Sequence, residues 1–164
     1  MQLHIWKQKE IENYLLLPAV IKRSIEQSLP KRTAAPTVEE ISQKLIEIAE
    51  ALKDDVVDGL ATEILSRDRK LALSTANKRA RERVDSVRAE KGSILSLISG
   101  KTAISRLSEW SQDEFGVQLN AAKLARLMRQ GEIPAEIRSV LSAIESQEPF
   151  ESQAQLARTA VAQP

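Results

Sequence analysis

The chain has 164 residues, 42% of them hydrophobic and 29% charged, with a formal net charge of +1. That balance gives no overall pull toward nucleic acid or a membrane surface, and the absence of cysteine excludes a disulfide scaffold and any thiolate metal site. Aromatic residues are only 3%, so Leu, Ile, Val and Ala must build the core, a composition that suits helices better than sheets.

The segment Leu3-His4-Ile5-Trp6-Lys7 alternates as a short strand does. Such a strand cannot stand alone; it adds to a sheet supplied from elsewhere or is a frayed end. Ile11, Tyr14, Leu15 and Leu16 then take up helical spacing. Pro18 suits the first turn of a helix carrying Val20, Ile21 and Ile25. Pro30, Pro36 and the basic pair Lys31-Arg32 mark a loop. Thr37 with Glu40 three residues later forms a capping box. It opens an apolar stripe through Val38, Ile41, Leu45, Ile48, Leu52, Val56, Leu60 and Ile64, followed by a second through Leu73, Ala76, Ala80, Val84 and Val87. No proline interrupts residues 38–91. This stretch reads as one long helix or as two antiparallel ones, with a break near Gly59 or near Ser66-Arg67-Asp68.

Charge is polarised along the same stretch. Residues 38–63 carry eight acids and two bases, a net of −6, and residues 67–91 carry nine bases and four acids, a net of +5. Two solvated faces that attract each other across a hairpin account for this. A basic face that meets DNA phosphates or a partner protein is the alternative.

Gly92 suits a helix C-cap. After Leu95, Leu97 and Ile98, Ser99-Gly100-Lys101-Thr102 leads into a helix through Ile104, Leu107, Trp110 and Phe115 that stops at Gly116. Asn120 is the expected N-cap of the next helix, with Leu124, Leu127 and Met128 on its apolar face and Gly131 at its end. Pro134 starts a last core helix with Ile137, Val140, Leu141 and Ile144. The Gln- and Ala-rich tail after Pro149 has few apolar anchors and is expected to fray.

Gly100-Lys101-Thr102 is not a nucleotide-binding phosphate loop, because that motif needs a glycine at position 95, which is Leu. A lysine near a helix N-terminus still makes a local anion site, which a DNA phosphate would fit; an exposed surface lysine is the plainer reading. Glu10 and Glu12 flank Ile11. They are surface acids or ligands for a hard cation such as Mg²⁺, although one carboxylate is not a site and a magnesium nuclease needs several. His4 is the only histidine, so histidine zinc sites and Cys–His nucleophiles are excluded. Trp6 and Trp110 read as core fillers.

Lys9-Glu10-Ile11-Glu12-Asn13-Tyr14-Leu15-Leu16, followed by Pro18 and Ile21, resembles the segment that closes the TOPRIM nuclease domain in ATP-dependent endonucleases of the overcoming-lysogenization-defect (OLD) family. The resemblance continues through the late Gly100-Lys101 pair, with Leu107 and Trp110 after it, and through Ile133-Pro134-Ala135-Glu136-Ile137. It implies an ABC-like ATPase joined to a TOPRIM domain that cleaves DNA with Mg²⁺ or Mn²⁺, in bacterial and viral proteins linked to phage defence. Glu12 falls where that family has a metal-ligating glutamate, with Glu10 beside it. Lys101 falls where the family has a catalytic lysine that stabilises phosphate charge in the transition state. The Walker A loop, the ABC signature and the early TOPRIM acids are missing; they are expected to precede Met1, so that the isolated chain neither hydrolyses ATP nor cuts DNA.

The expected architecture is therefore mainly α, a helical bundle with long antiparallel helices and a short N-terminal strand left over from a TOPRIM-type sheet. Residues 1–29 would end the nuclease domain, 37–91 form a helical arm or hairpin, 92–148 a C-terminal helical subdomain, and 149–164 a frayed tail. The expected partners are DNA, reached through the parent protein, and the N-terminal ATPase–TOPRIM segment; a homodimer is compatible with the long apolar stripe. No apolar run approaches the roughly 18 residues of a membrane span, and Met1-Gln2-Leu3-His4-Ile5-Trp6 lacks a signal-peptide pattern, so no membrane partner and a cytoplasmic location are expected. A free-standing helical module that binds nucleic acid or protein through the basic 67–91 face is the competing reading.

Overall fold

The computed structural model describes residues 8–30 and 34–146. The segment 3–7 read as a strand, Lys31-Arg32 and the tail from 147 onward lie outside the described residues. The chain divides into two compact units, one spanning Gln8–Leu127 and one whose described part begins at Met128. Among the described residues there are seven α-helices and no strand, and the protein is mainly helical.

In the Gln8–Leu127 unit a 3-10 turn, Ile11–Leu15, precedes α1 (Pro18–Glu26), α2 (Val38–Ala51), α3 (Lys53–Arg67), α4 (Leu73–Lys91), α5 (Gly100–Phe115) and α6 (Ala121–Leu127). The helix ends follow local chemistry. Pro18 opens α1. At α2 the Thr37 N–H donates to Glu40 at 2.7 Å and the Glu40 N–H donates to the Thr37 hydroxyl at 3.1 Å, a reciprocal box that satisfies two otherwise free donors. Ser99 caps α5 by accepting from the Thr102 N–H, and Asn120 caps α6 by accepting from the Lys123 N–H. Gly92 and Gly116 close α4 and α5 at φ 69° and 68°, a left-handed conformation that costs glycine least.

Helix α1 packs on α2 and α6, α2 packs on α5, and the Ile11–Leu15 turn packs on α5 and α6. Val20, Ile21, Ile25, Ile41, Ile98, Leu107 and Leu124 are fully buried. Residues 14–25 and 94–124 thus share one apolar core with α2. Helices α3 and α4 pack chiefly on each other, through Val56, Val57 and Ala61 on one side and Ala76, Ala80, Val84 and Val87 on the other. Lys53, at the start of α3, meets Asp85, late in α4, at 3.9 Å, and the turn 68–72 joins the end of α3 to the start of α4, so the two helices are antiparallel. Glu50, at the end of α2, meets Arg88 of α4.

The uninterrupted 38–91 pattern resolves into three helices. One break falls at Ser66-Arg67-Asp68, where Asp68 accepts from the Lys70 N–H in a tight turn. The other falls at Leu52 (φ −95°, ψ 7°), where no glycine or proline announces it; Asp54 and Asp55 in the new first turn were the available signal, since acids favour helix N-termini. Gly59, the other candidate break, lies inside α3.

Both stripes begin exposed, with Val38 37% and Leu73 61% accessible. Helix α6 ends at Leu127, before Met128, and Gly131 belongs instead to a 3-10 turn, Gln130–Glu132, in the second unit. Helix α7 (Ala135–Ser146) follows it there. It is not a core helix: none of residues 135–145 is buried and Leu141 and Ile144 are exposed, because periodicity specifies an apolar face and not what covers it. No helix among the described residues is long and apolar enough to cross a membrane.

Candidate functional site

The Ile11–Leu15 turn sits at the N-terminus of α5, and this contact brings Glu10, Glu12 and Lys101 together. One oxygen of the Glu10 carboxylate accepts from the Lys101 backbone N–H and from the Ser99 hydroxyl, each at 3.2 Å. The Glu12 carboxylate stands 3.9 Å from the Lys101 ammonium. Glu12 is mostly shielded, with 19% of its side chain accessible, whereas Lys101 is 74% accessible. An ion pair this open contributes at most about 1 kcal/mol, so packing and hydrogen bonds, not charge attraction, hold the arrangement.

Asn13 supplies much of that hold. It is a buried polar residue, 7% exposed. Its amide donates to the carbonyls of Leu95 and Ile98 at 3.0 and 3.1 Å, and its Oδ1 accepts from the Glu10 N–H at 3.0 Å. A neighbouring backbone bond joins the Lys9 N–H to the Ser96 carbonyl. Gly100 completes the junction: a Cβ there would fall 2.6 Å from the Asn13 nitrogen and 2.9 Å from the Glu12 carbonyl carbon. Glycine is required because two backbones touch, not because of a φ angle.

Asn13 and Ser99 had no role in the motif reading. The signal that could have found Asn13 is a buried amide beside two acids in a short turn, which must find partners for its own donors. A crevice of about 60 Å³ beside the junction is lined by Lys9, Asp55, Ser99 and Thr102. Among the described residues no three His, Cys, Asp or Glu side chains stand close enough to hold a metal ion.

The aromatic and basic candidates fall elsewhere. Trp110 is only partly buried, edge-on to Phe115 with ring centroids 5.3 Å apart and the Lys44 ammonium above its ring; Trp6 and His4 lie outside the described residues. On α4, Arg88 is paired to Glu50, and Lys78 stands 3.9 Å from Glu82, while exposed Arg79, Arg81 and Arg83 make no ion pair with any described residue. These three do not share one face. At 3.6 residues per turn, Arg79 and Arg83 flank one side of the buried Ala76–Val87 stripe and Arg81 lies roughly 200° from Arg79.

In comparisons with protein-family models, with curated proteins and with solved structures, nothing matches this chain.

Proposed function

We propose that this chain is the C-terminal part of an OLD-type, ATPase-linked DNA endonuclease, contributing half of a metal-dependent cleavage centre. The observation that carries the reading is the meeting of Glu12 and Lys101, residues far apart in sequence, at one built junction. A partly shielded carboxylate beside an accessible ammonium is the pairing a phosphodiester-cleaving site uses. In this reading Glu12 is one ligand for Mg²⁺ or Mn²⁺, with Glu10 beside it, and Lys101 faces the DNA phosphate and lowers the cost of its developing charge.

The described residues do not make a metal site by themselves. The remaining acids would come from an N-terminal ATPase–TOPRIM segment, and residues 3–7 would add to that segment's sheet as a strand. Phage defence follows from the same resemblance; a cytoplasmic location and a homodimer through the long apolar stripe complete the proposal. The test begins with the coding sequence upstream of Met1. An in-frame ATPase with TOPRIM acids is expected, and the extended protein should nick plasmid DNA with Mg²⁺ or Mn²⁺. Glu12→Ala should abolish nicking. Full activity in the double Glu12→Ala, Lys101→Ala variant would sink the proposal, as would an upstream stop codon followed by unrelated sequence.

One observation favours a second reading, a helical module that binds nucleic acid or protein: Arg79, Arg81 and Arg83 are exposed and unpaired among the described residues. Phosphate contacts by these arginines predict DNA binding by the isolated chain that weakens steeply with salt. Charge reversal at all three should abolish it. Their spread over two sides of α4 argues against a single flat docking face.

A further inference from the structure

We infer that Glu10 is a positioning residue, not a metal ligand: seated on the first turn of α5, it holds Lys101 opposite Glu12. The role at a cleavage centre rests on the nuclease reading above; the mechanical link does not. Three observations lead to it. Of the two Glu10 carboxylate oxygens, Oε2 accepts two hydrogen bonds, from the Lys101 N–H and the Ser99 O–H, which seats the carboxylate on the start of α5. The backbone of Glu10 is tied in turn to Asn13, which binds the loop that leads into α5 through Leu95 and Ile98. Finally, Gly100 leaves no clearance between the turn and the helix. The route from Glu10 to Lys101 is therefore one residue of backbone long, and its other anchor is fixed by buried bonds.

Glu12 and Lys101 have no comparable direct tie. Their charged ends stand 3.9 Å apart and the lysine is largely in solvent. Without Glu10, the first turn of α5 loses its carboxylate acceptor. A carboxylate receiving backbone N–H bonds at a helix N-terminus is among the stronger polar contacts a surface offers. Ser99 caps only the Thr102 N–H, so it cannot replace the bond to Lys101.

The chemistry separates the two roles. A glutamine at position 10 keeps an oxygen that accepts from N–H and O–H but is a poor ligand for a hard cation. An aspartate keeps the charge but is one methylene too short to reach both donors. The experiment is NMR on the full 164-residue chain, reading the Lys101 amide resonance and the cross-peaks between the Lys101 side-chain methylenes and the Glu12 γ-methylene. Wild type and Glu10→Gln should show both signals alike. Glu10→Ala and Glu10→Asp should move the Lys101 amide upfield and lose the cross-peaks, while cross-peaks between Ile21, Ile41 and Leu107 persist.

Unchanged Lys101 signals in Glu10→Asp would overturn the inference, and so would their loss in Glu10→Gln. If Glu10→Ala does not fold, the Asp and Gln variants decide. In the extended protein with Mn²⁺ and plasmid DNA, Glu10→Gln should keep cleavage that Glu12→Gln loses; equal loss in both makes Glu10 a ligand and overturns the inference. No cleavage by the wild-type extended protein removes the nuclease reading and leaves the NMR result standing.

Discussion

The Ile11–Leu15 turn reaches the start of α5 across more than 80 residues of chain, as in the Asn13–Leu95 bond with a separation of 82, whereas α3 and α4 meet across a turn of residues 68–72. The distant contact is held by buried polar bonds and by backbones touching at Gly100. The local one is held by an apolar stripe of small residues, Ala76, Ala80 and Val84, with the Lys53–Asp85 pair at its rim. Polar and backbone contacts tolerate almost no displacement, because a bond that misses its partner costs more than one never made. An apolar stripe with charged margins tolerates small shifts. A precise constellation such as Glu12 opposite Lys101 belongs on the first kind of contact.

Substitutions should separate the two regions sharply. Gly100→Ala should be the most damaging, by about 2–3 kcal/mol, because two of the three atoms its Cβ would meet, including the nearest, are backbone and cannot swing aside; urea denaturation should show a lower midpoint at unchanged slope. Its counterpart in the hairpin has the opposite sign. Gly59 lies inside α3 with nothing within 4 Å of a Cβ placed there, so Gly59→Ala should stabilise by about 0.5–1 kcal/mol. If both glycines respond alike, the contrast is wrong.

Asn13→Ala should cost about 2 kcal/mol, since it strands the carbonyls of Leu95 and Ile98. Glu50→Gln, which removes the pair between the end of α2 and Arg88 of α4, should cost under about 1 kcal/mol, and the loss should vanish at high salt. A salt-insensitive loss there would mean that the pair does more than trim the rim.

The smallest effect concerns pH. The Glu40 carboxyl is held below its ordinary 4.5 by the Thr37 N–H and hydroxyl. A lowered folded-state value means the capping box adds stability above the unfolded value and loses it as pH falls through the folded one. Thermal melts of wild type and Glu40→Gln should therefore differ near neutral pH and converge under acid. A gap that stays constant with pH would assign the box's contribution to something other than that carboxylate.

The helices were legible where local chemistry speaks. The Thr37–Glu40 box, Pro18 at the head of α1, and the ends at Gly92 and Gly116 all stand where the residues put them, because capping and backbone preference act within a few residues. Of the two pairs that join residues 38–63 to 67–91, Glu50–Arg88 runs with the charge polarity and Lys53–Asp85 runs against it. The break at Leu52 was signalled only by Asp54 and Asp55 in the turn that follows, since the apolar spacing runs through it unchanged; α2 packs on α5 whereas α3 packs on α4.

The candidate site divides in the same way. Residue type alone left Glu10, Glu12 and Lys101 reading first as surface charges, and the family resemblance singled them out as candidates. Only the tertiary structure decided that these three meet, that Glu10 sits on the α5 N-terminus, and that Asn13 and Gly100 hold the junction. Helix propensity, capping and charge are properties of short windows, and a sequence displays them directly. A contact between residues 13 and 98 depends on how a whole core of aliphatic side chains closes, and many sequences with the same local signals would close it differently.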